Sequence, residues 1–172
     1  MRFGLLPHPE SSPAAVQRVD VEVGRLGPRA LEIRYLVSGR IEALAIPPAA
    51  TPTRTDELWR HTCLEAFLKP PGEDAYVEIN LSPSGQWAAY RFDAYRSGMR
   101  PLAPFGPPAI AVDVKPGTLE LRAELTVPAG GPLRLGLSAV IEARDGSRSY
   151  WALAHPPGAP DFHHADCFAA QL

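Results

Sequence analysis

Residues 76–92 have the sequence YVEINLSPSGQWAAYRF, and this stretch decides the fold class. Apolar residues occupy every second position from 77 to 81, whereas Glu78 and Asn80 lie between them. Such alternation is typical of a β-strand with one buried face. Pro83-Ser84-Gly85 then predicts a hairpin-like turn into a second strand. The stretch therefore predicts two neighbouring antiparallel strands.

The same alternation recurs along the chain. Further strands are predicted at RVDVEV (18–23), ALEIRYLV (30–37), IEALAI (41–46), AIAVDV (109–114), LELRAELTV (119–127), LRLGLSAVIEA (133–143) and SYWALA (149–154). Turn sequences such as KPG and RDGSR separate them. About nine to eleven short strands with no long amphipathic helix indicate an all-β fold. We expect a β-sandwich of two antiparallel sheets, in immunoglobulin-like or jelly-roll-like layers, forming a single domain over residues 1–172 with at most short helical turns.

Composition limits the possible partners. The chain has 172 residues and a formal net charge of -2, with no run of basic residues. We therefore expect no nucleic-acid partner, because a nucleic-acid backbone requires a positive surface. No segment approaches the roughly 20 apolar residues of a membrane span, so no membrane partner is expected. The sequence does not indicate the oligomeric state.

The expected compartment is the cytoplasm. The apolar stretch near the start, Phe3–Leu6, is shorter than the about 7–15 residues of a secretory signal. In a reducing compartment the two cysteines, Cys63 and Cys167, are expected to be free thiols.

The segment ELWRHTCLEAFLKPP, residues 57–71, combines apolar and polar side chains in an unusual way. Its periodicity leaves a helix open, but we expect one turn around Thr55–Trp59 followed by a strand from about Thr62 to Lys69. On that strand Glu65 lies between Cys63 and Phe67 on one face. A carboxylate among core neighbours is costly unless it has a partner. We therefore expect Glu65 to bind a polar ligand.

A hydrogen-bonding surface is predicted around Glu65. Glu78 and Asn80 lie on the following strand, and Arg91 lies on the strand after that. If these side chains share a sheet face, they form a surface of planar, bidentate groups. The alternative is an ordinary solvated face of an antiparallel sheet.

Aromatic residues are expected to border this surface. Trp59 lies outside any alternating pattern, and Phe162 lies in a loop rich in Pro and Gly. Trp87, Tyr90 and Trp151 lie within strands and are expected in the core. Aromatic rings beside carboxylate and amide groups suit saccharides, because the C–H face of a sugar stacks on an aromatic face while its hydroxyls bond to polar groups.

Histidines suggest a haem-binding or metal-binding alternative. These are His61, His155, His163 and His164, with Asp161 and Asp166 flanking the last two. Adjacent histidines point in different directions, and the spacing matches no zinc signature. Haem ligation by Met99 and a histidine is a related alternative. The simpler interpretation is histidines that pack in loops, and we expect neither a metal nor a cofactor.

Two catalytic alternatives remain open. Cys63 and His61 are two positions apart and would face the same side of a strand, as a Cys–His dyad requires. Glu65 and Glu78 would form the acid pair of a weak hydrolase.

The chain resembles family 9 carbohydrate-binding modules, within the wider DOMON-like group of β-sandwiches that bind sugars or haem. The resemblance covers roughly residues 29–172. It rests on Trp59 followed by Glu65-Ala66-Phe67-Leu68, on YVEINLSPSGQWAAYRF, and on a loop aromatic before a terminal strand. A group of stand-alone bacterial proteins shares W-x-H-T-C-x-E-A-F, SPSG and PDFHH.

The resemblance implies a binding role for particular residues. In the modules a Trp precedes a strand Glu by six residues, as Trp59 precedes Glu65. A second Trp precedes a Phe by six residues and completes a clamp around a terminal sugar; Phe162 and Phe168 keep that spacing. The modules carry an Arg where this chain has Glu78, which reverses a charge in the site.

We therefore predict non-catalytic binding of a small polar ligand, a saccharide or sugar-derived metabolite, in a cleft between Trp59 and Phe162. The predicted ligand-binding residues are Trp59, His61, Glu65, Glu78, Asn80, Arg91, Phe162, His163 and His164.

Overall fold

A computed structural model describes residues 1–11, 14–127 and 131–172. Within these ranges the chain forms twelve strands. They are β1 (Arg2–Pro7), β2 (Val16–Gly27), β3 (Ala30–Gly39), β4 (Cys63–Lys69), β5 (Tyr76–Leu81), β6 (Trp87–Phe92), β7 (Arg100–Pro101), β8 (Ala109–Lys115), β9 (Thr118–Thr126), β10 (Arg134–Glu142), β11 (Arg148–Ala152) and β12 (Ala170–Gln171). The helical residues described are single 3₁₀ turns at Ile41–Ala43, Leu58–Arg60 and Ala165–Cys167. The prediction of an all-β chain with only short helical turns is confirmed.

The strands form one antiparallel sheet rather than two separate ones. Their order is β7-β6-β5-β4-β10-β11-β1-β2-β3-β9-β8, and β12 also pairs with β10. Strand β1 joins the two predicted sheets, because Phe3 pairs with Val21 of β2 while Leu6 pairs with Ala152 of β11. We call β2, β3, β9 and β8 the first limb, and β7, β6, β5, β4, β10 and β11 the second limb.

The sheet curls so that its two limbs enclose a common core. Buried apolar side chains of β2, β3 and β9 pack in one cluster with those of β4, β5, β6 and β10. Tyr35 of β3 is fully buried, and its hydroxyl donates a 2.5 Å hydrogen bond to the backbone carbonyl of Glu65 in β4. This bond fixes the first limb against the strand that carries Glu65.

Because side chains alternate along a strand, the two faces of β4 and β5 contact two different apolar clusters. Leu64, Ala66 and Leu68 of β4 lie in the core between the limbs. Phe67 lies on the other face, where it belongs to a second apolar cluster. This outer cluster contains Phe67, Tyr76, Ala88, Tyr90, Phe92 and Phe168, with Leu58 and Phe162 packed against it. Both faces of β4 and β5 are therefore buried.

Residues 153–169, which we call the covering segment, include Phe162 and Phe168, which lie over this outer face. The ring of Phe168 packs at 5.5 Å from that of Tyr76. The covering segment lies close to the sheet at Gly136 of β10. A Cβ added there would lie 3.2 Å from the Phe67 Cβ and 3.3 Å from the Cys167 carbonyl oxygen. The covering segment therefore buries a sheet face that solvent would otherwise contact.

The segment at residues 57–71 folds as the sequence indicates. A 3₁₀ turn at Leu58–Arg60 is followed by the strand Cys63–Lys69. Cys63 and Cys167 are both buried, and neither forms a disulfide. No helix within the described ranges is long and apolar enough to cross a membrane.

The bond between the limbs yields a stability prediction. Tyr35→Phe removes the hydroxyl that bonds to Glu65, so the free energy of unfolding should fall by about 1–2 kcal/mol. Urea denaturation measures this change. Tyr95→Phe is the matched control, because Tyr95 is exposed, and it should change stability by less than about 0.5 kcal/mol. Equal effects of the two substitutions would contradict the account.

Candidate functional site

Two glutamates lie side by side on the outer face of the second limb. Glu65 of β4 pairs with Asn80 of β5, and Phe67 pairs with Glu78. This register places Glu65 and Glu78 on neighbouring strands of the same face, diagonally across from each other. Both are buried, with 3% and 5% of their surface exposed.

Hydrogen bonds hold both carboxyl groups in place. The Ser138 hydroxyl donates to Glu65 Oε2 at 3.1 Å. The Asn80 side-chain amide donates from Nδ2 to Glu78 Oε1 at 2.7 Å. Asn80 Oδ1 is buried and has no hydrogen-bond partner among the described residues. A protonated carboxyl group can donate a hydrogen bond, and Asn80 Oδ1 is an acceptor on this face that has no donor.

Burial favours the protonated form of both acids. Burial, together with the negative charge of Glu78, raises the pKa of Glu65 well above that of an exposed glutamate. Burial also raises the pKa of Glu78, although the Asn80 hydrogen bond and the positive charge of Arg96 oppose this effect. The pair therefore holds less negative charge near neutral pH than two exposed glutamates would hold.

A cavity of about 490 Å³, which we call the site cavity, opens above this pair. Its wall contains both predicted aromatic residues, Trp59 and Phe162, together with Glu65 and Glu78. The rest of the wall is formed by Arg60, Phe92, Arg96, Met99, Val140, Arg148, Tyr150, Pro160 and His163. The structure thus brings together five of the nine predicted ligand-binding residues.

Trp59 lies at the edge of the site cavity. It belongs to the 3₁₀ turn Leu58–Arg60, which Glu57 precedes in a left-handed conformation with φ of 63°. The indole packs edge-on against Tyr90 at 6.4 Å, and 37% of the residue remains exposed. The indole therefore packs on Tyr90 on one side and remains accessible to a ligand.

Phe162 enters the wall from the covering segment. Its ring lies 6.3 Å from that of Tyr150 in β11 and 6.4 Å from that of His155. Trp59 and Phe162, 103 positions apart along the chain, thus reach the same cavity from different loops.

His163 is neutral and faces Glu78. The Tyr76 hydroxyl accepts a hydrogen bond from the Arg96 backbone N–H and shares one of 2.7 Å with His163 Nδ1. The other ring nitrogen of His163, Nε2, lies 3.6 Å from Glu78 Oε2. Burial, assisted by the positive charge of Arg96, lowers the pKa of His163 to about 4.

Four predicted residues do not line the site cavity. Asn80 lies beneath it, fully buried, and acts on it through Glu78. His61 is exposed and bonds through Nδ1 to Glu142 Oε2 at 2.8 Å. His164 lines a separate, smaller cavity beside Lys69.

The placement of Arg91 on the site face is wrong. Arg91 pairs with Val77, whereas Tyr90 pairs with Glu78. Because side chains alternate along a strand, Arg91 lies on the face opposite to Glu78. It therefore cannot belong to the surface formed by the two carboxyl groups.

Sequence reasoning missed three arginines and a tyrosine of the cavity wall. Alternation within β11 was a usable signal, because Trp151 is buried in the core and Arg148 and Tyr150 must then lie on the other face. Arg60 could also have been identified from the sequence, because it directly follows Trp59. Arg96 lies in an irregular loop, with a left-handed φ of 52°, and no pattern in the sequence indicates it.

The residues predicted as alternatives for metal, haem or thiol chemistry lie in different surroundings. Met99 and His163 both line the site cavity. Within the described part of the chain, no three His, Cys, Asp or Glu side chains are arranged to hold a metal ion. The Cys63 thiol is fully buried, and burial raises its pKa. His61 makes its contact with Glu142, not with Cys63.

No family model matches the chain, and no curated protein matches it significantly. Its fold is similar to those of several solved structures, two of which cover most of the chain as follows. A candidate carbohydrate-binding protein from Bacteroides uniformis has a TM-score of 0.69 and 14% identity, over 99% of this chain and 84% of that one. A family 9 carbohydrate-binding module from Caldicellulosiruptor kristjanssonii, in complex with cellotriose, has a TM-score of 0.55 and 11% identity, over 92% of this chain and 74% of that one.

The chain is similar in fold to a family 9 carbohydrate-binding module. The resemblance expected from Trp59, Glu65 and the Tyr76–Phe92 stretch is confirmed at the level of the fold. Placement in the wider DOMON-like group stays a prediction.

The buried acid pair predicts an unusual pH dependence of stability. The folded state holds a proton on Glu65 at pH values where the unfolded chain has released it. Stability from this group is therefore complete below the ordinary pKa of glutamate and is lost as pH rises through the raised value. Between about pH 5 and about pH 8, Glu65→Gln should become more stable relative to wild type by at least about 1 kcal/mol.

Thermal unfolding of wild type and variant across that range measures the difference. The comparison cancels the contributions of the histidines, which both proteins share. Glu73→Gln, which removes an exposed carboxylate, should show no such trend. A constant difference between wild type and Glu65→Gln at all pH values would contradict the raised pKa.

Proposed function

We propose that the protein binds a saccharide non-catalytically in the site cavity, with the sugar ring between Trp59 and Phe162. One observation carries this proposal. Two aromatic rings from distant loops line the same cavity as a pair of buried carboxyl groups. Its volume of about 490 Å³ lies within the range of about 300–1,000 Å³ that is common for small-molecule sites.

The two kinds of wall suit the two kinds of surface on a sugar. The C–H face of a pyranose is apolar and slightly positive, so it stacks on the negative face of an aromatic ring. Trp59 offers such a face while retaining 37% exposure, and Phe162 lines the same cavity. These rings give affinity without requiring one particular arrangement of hydroxyl groups.

Hydrogen bonds to the carboxyl groups of Glu65 and Glu78, which form the floor of the site cavity, would orient the sugar. A protonated Glu65 donates a hydrogen bond, whereas an ionised Glu78, held by Asn80 at 2.7 Å, accepts one. A sugar hydroxyl is both donor and acceptor, so adjacent hydroxyls match an adjacent acid and carboxylate. Because both acids lie on paired strands of the sheet, their spacing is rigid.

The similarity in fold supports the same class of ligand. One of the similar structures is a candidate carbohydrate-binding protein, and another holds cellotriose. The curled sheet, whose limbs enclose one core, is in our interpretation the form that the expected sandwich takes in this chain.

A second candidate function is glycoside hydrolysis. The observation that favours it is the pair of carboxyl groups in the cavity wall with raised pKa values, since a glycosidase uses one acid and one carboxylate. Turnover of nitrophenyl glycosides, lost in Glu65→Gln, would establish this activity. Absence of turnover alongside saccharide binding would support the non-catalytic proposal.

Binding should depend on Trp59. Calorimetric titration of wild type with a panel of mono- and disaccharides should identify a ligand, and Trp59→Ala should weaken its binding at least about tenfold, equivalent to about 1.4 kcal/mol. Leu26→Ala is the control, because Leu26 is an exposed apolar residue of β2 outside the cavity wall, and it should leave affinity unchanged.

Stability must be measured alongside affinity. Trp59 is partly exposed on a short turn, so Trp59→Ala should remain folded. Failure of wild type to bind any saccharide at millimolar concentration would disprove the proposed function. Unaltered affinity in a folded Trp59→Ala protein would show that the sugar lies elsewhere.

A further inference from the structure

Three arginines line the site cavity, and none of them was among the predicted ligand-binding residues. They come from three separate parts of the chain: Arg60 from the turn beside Trp59, Arg96 from the loop between β6 and β7, and Arg148 from the start of β11. All three side chains are about half exposed, with 63%, 51% and 40% of their surface accessible. The cavity therefore has a positively charged upper wall.

The carboxylates paired with two of these arginines lie outside the cavity wall. Arg60 contacts Glu57 at 2.8 Å, and Arg96 contacts Asp161 at 2.7 Å. A guanidinium group has five N–H donors, and each of these contacts occupies only part of the group. The remaining donors of Arg60 and Arg96 stay available to a ligand in the cavity.

Arg148 has the weakest pairing of the three. It approaches Glu142 Oε1 only to 3.6 Å, which is beyond hydrogen-bond distance. The other oxygen of Glu142, Oε2, is already bonded to His61 at 2.8 Å. Arg148 is therefore the cavity arginine whose guanidinium is most available for a bidentate contact with an anion.

The floor of the cavity does not cancel this positive charge. Glu65 and Glu78 are buried at 3% and 5% exposure, where ionising both at once is unfavourable. His163, which also lines the cavity, is neutral at physiological pH, because burial lowers its pKa to about 4. The arginines thus face a floor that carries reduced negative charge.

Backbone strain next to two of the arginines indicates that their placement matters. Among the described residues, the non-glycine positions with left-handed φ are Glu57 at 63° and Arg96 at 52°. Such conformations are energetically unfavourable for residues other than glycine and tend to occur at functional sites. Glu57 bonds to Arg60 and begins the turn that carries it, whereas the other strained residue is Arg96 itself.

We propose that the bound saccharide carries an anionic group, a carboxylate or a phosphate, and that Arg148 receives this group at the upper wall of the site cavity. The proposal rests on the proposed function, since it names the class of sugar that the same cavity takes. The neutral ring stacks between Trp59 and Phe162, while the anion lies beside Arg148, within the positive field of Arg60 and Arg96. A cationic sugar would instead meet three positive charges at the entrance.

Calorimetry with matched sugars tests the anion requirement. Wild type is titrated near neutral pH with glucose, galactose and mannose, and with the uronic acid and the 6-phosphate of each. At least one anionic sugar should bind about tenfold or more tighter than its neutral parent, because a hydrogen bond between a guanidinium and an anion is stronger than one between neutral groups. The two anionic series distinguish a carboxylate from a phosphate, and added salt should reduce the preference.

Arginine variants test the assignment of the anion to Arg148. In Arg148→Gln the preference for the anionic sugar over its neutral parent should disappear, and Arg148→Lys should restore only part of it. Arg144→Gln is the matched control: Arg144 lies in the turn before β11 and lines a different cavity, so this variant should keep the full preference. Thermal unfolding confirms that each variant is folded.

The outcomes separate this proposal from the proposed function. Neutral sugars that bind as tightly as their anionic counterparts would overturn the anion requirement but leave saccharide binding intact. Binding of no sugar in any series would overturn both. A preference that survives in folded Arg148→Gln would overturn the role of Arg148.

Discussion

The burial of two carboxyl groups beneath the covering segment is the constraint on which the site depends. Glu65 and Glu78 lie on a sheet face that would be solvated in a simpler β-protein, and residues 153–169 cover it. Desolvation makes the ionised carboxylates energetically unfavourable, so their protonated forms are favoured. Ser138 and Asn80 donate hydrogen bonds to the two carboxyl groups. A chain that needed only a stable core would place apolar residues at these positions, which makes the acid pair a mark of function.

The architecture separates what must be rigid from what must reach a ligand. The carboxyl groups lie on paired strands whose opposite faces are packed in the core between the limbs, and the Tyr35 hydroxyl bonds to the backbone of Glu65 itself. The rings of Trp59 and Phe162 and the guanidinium of Arg96 come from turns and loops. This division, with a rigid floor and a wall of loop residues, is common in binding sites built on β-sheets.

Much of the fold and part of the site follow from alternation alone. Val77, Ile79 and Leu81 indicated the inner face of β5, and the same parity placed Glu78 and Asn80 together on the outer face. Parity also explains the error at Arg91, which shares the inner face with Trp87 and Ala89. Applying the rule consistently along β6 would have excluded it.

Long-range features lay beyond sequence reasoning. The link through β1 that joins both limbs into one sheet depends on pairing between residues about 146 positions apart, such as Leu6 and Ala152. The burial of the outer face depends on the covering segment, whose packing no local pattern predicts. Arg96 reaches the cavity through a left-handed backbone conformation that a non-glycine residue rarely adopts.

Nuclear magnetic resonance of the indole N–H groups tests the central claim most directly. The chain has three tryptophans; Trp87 and Trp151 are buried at 7% and 3% exposure, whereas Trp59 lines the site cavity. During titration with the neutral, uronic acid and phosphorylated hexoses, the account predicts a saturable shift of the Trp59 indole signal while the other two stay in place. A signal of Trp59 that does not move with any of these sugars, or equal shifts of all three, would contradict it.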